Sequence, residues 1–146
     1  MRFTQMQDIA GCRIVVPGIG EQNRISALLG TLFDVTVFDR RIKPSHGYRA
    51  VHVVVRQSEQ PVEVQIRTTL QHAWAELSEK TADEFDSALK YGGGPAPIRH
   101  ILDGFSSLIA DFENKLDTDH TESAEIMNLK REIREAVASM TCAIRE

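Results

Sequence analysis

Residues 62 to 68, Val62-Glu63-Val64-Gln65-Ile66-Arg67-Thr68, alternate apolar and polar side chains one by one. A repeat of two is the signature of an extended strand, with Val62, Val64 and Ile66 on one face and Glu63, Gln65 and Arg67 on the other. The apolar face calls for a helix to cover it. The polar face carries an acid, an amide and a guanidinium in a row. Two readings of that face stay open: the solvated side of an antiparallel sheet, or a surface that meets a ligand.

The neighbouring patterns build a sheet around this strand. Cys12 to Val16 is a β-branched run closed by Pro17-Gly18, a buried strand followed by a turn. Ile25, Leu28, Leu29 and Leu32 then recur at helical spacing within Glu21 to Phe33. Val35 to Phe38 is a second short strand, and Tyr48 to Arg56 a longer one. The polar Gln57 to Pro61 suits a hairpin into Val62. Asp39 to Gly47, punctuated by Pro44 and Gly47, reads as a loop. Thr69 to about Lys80 is a helix with Leu70, Ala73, Trp74 and Leu77 on its inner side.

After Phe85 the composition shifts. Gly92-Gly93-Gly94-Pro95 marks a flexible linker, placed at 87–97. Two one-sided helical stripes follow, Ile98 to Leu116 and Ile126 to Ile144. The expected organisation is a core over 1–86, the linker, and a helical extension over 98–146. The fold class is α/β (α+β), with a mixed, largely antiparallel sheet flanked by helices and a C-terminal helical hairpin. The two stripes step in a heptad-like manner, so homo-oligomerisation through residues 98–146 is expected.

Charge separates the halves. Residues 1–68 hold nine Lys/Arg against six Asp/Glu, and residues 69–146 hold eight against fifteen. The basic half either handles an anion or reflects chance on solvated faces. No apolar run reaches the ~20 residues of a membrane span, and residues 1–8 lack a signal-peptide core, so a cytoplasmic location is expected, with no membrane partner. Cys12 and Cys142 have no metal-ligand spacing, and neither zinc nor a disulfide is expected.

Two further groups can carry chemistry. Asp8-Ile9-Ala10-Gly11-Cys12-Arg13 places an acid just before a strand, with a glycine that lets the backbone approach closely. Alone this fits a turn as readily as a cation site. Paired with Glu63 it matches magnesium, which takes one or two protein carboxylates and fills its shell with water and phosphate oxygens. The segment from Asp39 to His52 holds Arg40, Arg41, Lys43 and Arg49, with His46, His52 and Tyr48 around Pro44 and Gly47. Cations suit phosphates and an aromatic ring can stack on a base. Taken singly, Tyr48 fits a core edge and His52 a satisfied strand histidine.

Together these stretches resemble the RelA/SpoT synthetase family: Gln7-Asp-Ile-Ala-Gly-Cys-Arg-Ile-Val-Val16, Gly47-Tyr-Arg-Ala-Val-His52, Val62-Glu-Val-Gln-Ile-Arg-Thr68 and Gln71-His-Ala-Trp-Ala-Glu76. The resemblance covers about residues 2–80 with the motifs in the family's order. It implies a nucleotidyltransferase-like fold and transfer of the β,γ-pyrophosphate of ATP to the 3′-hydroxyl of GDP or GTP. It further implies Mg2+ held by Asp8 and Glu63, the two catalytic carboxylates. Glu63 would help deprotonate the hydroxyl, and Tyr48 would stack on guanine. His52, Gln65 and Arg67 would line the guanosine site, and Arg13, Lys43 and His46 complete the substrate-binding set. Many members read Pro-Lys-Pro-Asn before the Gly-Tyr pair. Here the order is Lys43-Pro44-Ser45-His46, which displaces Lys43 by one position and puts His46 where an Asn often stands.

Family synthetases carry an ATP-holding segment upstream of the Asp motif, and seven residues precede Asp8 here. The expectation is therefore that the chain as written binds guanosine nucleotide and makes little product alone. Two other readings are a non-catalytic or truncated guanine-nucleotide-binding module and a toxin-type relative that pyrophosphorylates the tRNA 3′ end. The acidic second half weighs against nucleic acid as a partner.

Overall fold

The computed structural model describes residues 10–56, 60–118, 128 and 131–136. Four strands make one sheet: β1 (Ala10–Val16), β2 (Val35–Asp39), β3 (Val51–Val55) and β4 (Val62–Thr68). Their order across the sheet is β1-β4-β3-β2. β1 runs parallel to β4, while the β4–β3 and β3–β2 pairs are antiparallel. The sheet is thus mixed and largely antiparallel, in agreement with the sequence. The parallel pair needs a crossover, and helix α1 (Ile19–Leu32) starts that crossover directly after β1.

The alternation of β4 separates the two faces. Val64 and Ile66 join Val51, Val53 and Val16 in a buried cluster, which Ile25 and Leu29 of α1 and Val35 cover. Each fully buried aliphatic side chain of this kind contributes roughly 1.5–3 kcal/mol. A second cluster, centred on Leu70, Trp74 and Leu77, forms between helix α2 (Thr69–Glu84) and Leu102 and Ile109 of helix α3 (Ala96–Thr118). Ile133, in the helical stretch 131–136, packs against it. The rest of the second expected stripe, Ile126 to Ile144, lies outside the described residues.

One buried amide ties the layers. Gln22 of α1 has no solvent exposure. Its Nε2 donates to the Ile66 carbonyl and to Gln71 Oε1, both at 2.8 Å. Gln71 Nε2 in turn donates to Glu113 of α3 at 3.1 Å. The Gln71 backbone N–H also donates to Thr68 Oγ1, while its side chain reaches back to the Thr68 N–H. This capping box starts α2 at the last residue of β4 without a connecting loop.

Three segments differ from the sequence expectation. β1, expected to be a buried strand, lies at the edge of the sheet and is largely exposed, with Val16 its one buried residue. The strand expected from Tyr48 begins only at Val51, because Ser45-His46-Gly47-Tyr48 is a two-residue hairpin turn. Ser45 and Tyr48 exchange both backbone hydrogen bonds, and the central residues have φ of 52° and 83°. That is the geometry of a type I′ turn, which favours Asn-Gly. Histidine is among the few other side chains that enter this region readily, so His46 takes the seat that Asn fills elsewhere. The Gly-rich stretch, expected to be flexible, is instead held by a 3-10 turn at Ser87–Tyr91. Leu89 is buried there, and Arg99 Nη1 donates to the Gly92 carbonyl at 3.1 Å.

Two glycine substitutions separate these roles. At Gly47 a Cβ would stand 2.7 Å from the Trp74 ring at a φ of +83°. Gly47→Ala is expected to lower unfolding stability by ~1–3 kcal/mol. Gly104, inside α3, has nothing within 4 Å of such a Cβ, and Gly104→Ala is expected to raise stability by ~0.5–1 kcal/mol. Urea unfolding of the two variants beside the wild type measures both signs.

Candidate functional site

The polar face of β4 and the facing residues of β3 form one hydrogen-bonded line. In the β3–β4 register His52 stands opposite Gln65, and Val54 opposite Glu63. His52 and Glu63 are therefore diagonal neighbours on one face, a separation that a long side chain can bridge. His52 Nδ1 lies 2.6 Å from Glu63 Oε1, and His52 Nε2 lies 2.9 Å from the Tyr48 hydroxyl. Arg67 Nη2 donates to that hydroxyl at 3.1 Å and to Gln65 Oε1 at 3.4 Å. Gln65 Nε2 donates to Glu63 Oε2 at 3.3 Å. Five of the residues picked out by sequence, Tyr48, His52, Glu63, Gln65 and Arg67, thus meet in one network.

The remaining candidates fall in different places. Arg13 of β1 stands opposite Gln65 in the parallel register and lines an adjoining cleft of about 280 Å³. His46 lines the same cleft from its turn. Lys43 is exposed and lines no part of that cleft. Asp8 lies outside the described residues. Arg41, counted among the loop cations, is committed elsewhere: it grips Asp39 with Nη2 at 2.6 Å and Nε at 2.9 Å, and its Nη1 donates to Asn23 and Gln22.

The cleft is basic. Among its described lining residues Arg13, Arg67 and Lys90 outnumber the carboxylate of Glu79, and Lys90 is held by Asp83 at 2.6 Å. Trp74, expected only as a core residue, and Ser78 and Leu89, which sequence reasoning assigned no role, add to the wall. For α2 the signal lay in its junction: a helix that begins at the last residue of β4 carries its next side chains over the same end of the sheet. Leu89 and Lys90 gave no such signal, since they sit beside a glycine run that read as linker.

Arg67 is the most constrained group at the site. It is 7 % exposed, and its guanidinium carbon lies 5.0 Å from the Tyr48 ring centroid. Its described partners are neutral or aromatic: Tyr48, Gln65 and a 3.5 Å contact to His72. Its Nε is buried without a hydrogen-bond partner among the described residues. A buried cation with no carboxylate hydrogen-bonded to it among the described residues favours an anion in the cleft.

Burial pushes the Glu63 carboxyl upward, but hydrogen bonds from His52 and Gln65 and attraction to His52 outweigh it, and the net shift is below the usual carboxylate range. Burial pulls His72 below its ordinary value; Glu76 opposes this, while Arg67 and Arg13 add to it. Glu63 therefore presents an ionised, partly free oxygen pair, the donor type that magnesium takes. Among the described residues no cluster of three metal-ligating side chains forms. A carboxylate with a lowered value contributes stability above its unfolded pKa and loses it as pH falls through the folded value. The wild type is therefore expected to be more stable than Glu63→Gln at pH 7, and the gap should close progressively below about pH 4.5. Urea unfolding of both proteins across the acid range measures this.

The comparisons with known proteins follow the same outline. The chain is 38% identical over 102 residues to an uncharacterized protein of Mycobacterium tuberculosis strain H37Rv, a match that takes 67% of this chain and 37% of that protein. The chain therefore spans little more than a third of the curated relative it matches. Its fold matches the crystal structure of small alarmone synthetase 1 from Bacillus subtilis bound to its product pppGpp, with TM-score 0.62 and 26% identity over 82% of this chain and 66% of that one. The crystal structure described simply as small alarmone synthetase 1 from the same organism gives 0.58 and 27% over 87% and 66%. The sequence model described as a region found in RelA / SpoT proteins matches residues 1–84. With more than half of its length matched, this chain belongs to the RelA/SpoT family.

Proposed function

We propose that this chain carries the acceptor-nucleotide half of an alarmone synthetase, which moves the pyrophosphoryl group of ATP to the 3′-hydroxyl of GDP or GTP. The observation that carries the reading is the line Arg67–Tyr48–His52–Glu63, which links an aromatic ring and a buried cation on the wall of a basic cleft to an ionised carboxylate further along the same sheet face. The likeness to a synthetase that holds pppGpp supports the same nucleotide class.

In this reading Tyr48 offers its ring to guanine, and Arg67 and Arg13 draw the phosphates. The 3′-oxygen attacks the β-phosphorus of ATP. The bond from that phosphorus to the α–β bridging oxygen breaks, AMP leaves, and Glu63 accepts the hydroxyl proton. Such a transfer depends on positioning and charge neutralisation more than on covalent work by the protein. Asp8 and Glu63 would hold Mg2+, which supplies charge neutralisation on the transferred phosphates when bound.

Three outcomes are expected. Tyr48→Ala should weaken GDP binding by roughly ten- to a hundredfold, read by calorimetric titration. Equal affinity would remove Tyr48 from the site. In a radiolabelled ATP assay with GDP and magnesium, an Asp8→Ala, Glu63→Ala double variant should abolish whatever product the wild type makes. GDP binding with no product at all would favour a binding module over a synthetase. Light scattering should show a homo-oligomer, because Ile101 and Leu108 leave an exposed apolar flank on α3; a clean monomer at micromolar concentration would sink that expectation.

A further inference from the structure

We propose that His52 is a positioning residue: it fastens the Tyr48 ring to the Glu63 carboxylate, setting base platform and carboxylate in one frame, rather than serving as a ligand of the nucleotide. This rests on the functional reading above for what Tyr48 and Glu63 do, and on geometry alone for the fastening.

Both ring nitrogens are already taken. Nδ1 lies 2.6 Å from Glu63 Oε1 and Nε2 lies 2.9 Å from the Tyr48 hydroxyl. The His52 side chain is 17% exposed, and it is not part of the cleft wall that Tyr48 and Arg67 line. Its backbone neighbours Val51 and Val53 are buried on the opposite face, at 1% and 0% exposure, so the strand cannot rotate to re-aim the ring. A nucleotide atom could reach either nitrogen only by displacing a protein partner.

The donors and acceptors fix a direction along the line. Arg67 Nη2 can only donate, so the Tyr48 oxygen accepts from it. The arrangement that satisfies every group has the hydroxyl proton pointing at His52 Nε2. That nitrogen then accepts, and the ring proton sits on Nδ1, donating to Glu63. Rotation of the phenol would break two hydrogen bonds, and rotation of the carboxylate would break its short one. The imidazole thus sets the spacing between a ring that would hold guanine and an oxygen that would face the 3′-hydroxyl. Positioning of this kind is where small displacements cost most.

The test uses the full chain and two half-variants. The Asn side-chain nitrogen occupies about the place of Nδ1, so His52→Asn keeps the Glu63 contact and drops Tyr48. A Gln amide that places its oxygen at about the position of Nε2 still accepts from the Tyr48 hydroxyl, so His52→Gln does the reverse. His52→Asn is expected to weaken GDP binding about tenfold, the worth of one hydrogen bond, with Mn2+ affinity within about twofold. His52→Gln is expected to weaken Mn2+ binding about tenfold, as loss of a partner to a metal-binding carboxylate does, with GDP affinity within about twofold. Calorimetry reads the first and electron paramagnetic resonance the second. Joint loss of both affinities in both variants, or no change in either, would overturn the proposal.

A ligand-free measurement separates this idea from the functional reading. In nitrogen-15 histidine spectra of the unliganded protein, His52 should show the Nδ1–H form with a strongly downfield proton. Tyr48→Phe should move Nε2, and Glu63→Gln should move the Nδ1 proton. A ring indifferent to both substitutions overturns the fastening. A ring that responds, in a protein that binds no GDP, upholds the fastening and removes the nucleotide reading instead.

Discussion

A central strand that must be apolar on one side and ionic on the other sets the terms for everything around it. β4 lies between a parallel and an antiparallel neighbour, so a slip of one residue against either would drive Glu63, Gln65 and Arg67 into the cluster of Val51, Val53 and Val16. Burying two charges and an amide there would cost several kcal/mol per charge, enough to rival a typical domain's net stability of about 5–15 kcal/mol. The register is therefore fixed by exclusion, and with it the diagonal that brings His52 to Glu63 and the step that puts Arg13 beside Gln65.

The helices are aligned to that strand by polar contacts inside the core. Gln22 reads the Ile66 carbonyl from α1, Gln71 meets Gln22 from α2, and Glu113 meets Gln71 from α3. Hydrophobic packing alone tolerates sliding of one helix along another. A satisfied buried amide does not, because any shift leaves a donor unpaired at a cost of about 1–3 kcal/mol. Arg41 extends the same network outward to Asp39, which anchors the start of the loop that turns at His46. Arg49 closes it from the other side, donating to Ser106 and to the Arg41 carbonyl.

Much of this could be read from residues alone, for particular reasons. Period-two alternation gave β4 its bounds and both of its faces, and the β-branched runs gave β1 and β2. The cluster of Tyr48, His52, Glu63, Gln65 and Arg67 was legible because four of its five members lie on two adjacent strands. Local pattern failed where tertiary contacts decide. Tyr48 to Ala50 look like strand, but the positive φ of His46 and Gly47 ends the pairing there. The run Gly92 to Gly94 looks like linker, but Gly92 lies against the His46 ring and Gly94 against Leu89, so absent side chains mark close approach and not slack. Gln22 and Glu113 gave no warning of burial, since their shared partner, Gln71, lies 49 and 42 residues away in sequence. Arg41 looked like a phosphate ligand because its acid, Asp39, stands only two residues from it, a pairing that composition cannot distinguish from coincidence.

Arg67 gives the domain an unfinished interior. Among the described residues no acid is hydrogen-bonded to this guanidinium and its Nε has no partner, a debt that burial leaves open. An anion entering the cleft would complete the charge balance of the core from outside. By mass action, what binds the native state alone also holds it folded, so the occupant of this cleft would act as a movable part of the fold. The lifetime of each copy would then follow the supply of that anion, and a change in its concentration would be felt as a change in how much of the protein persists.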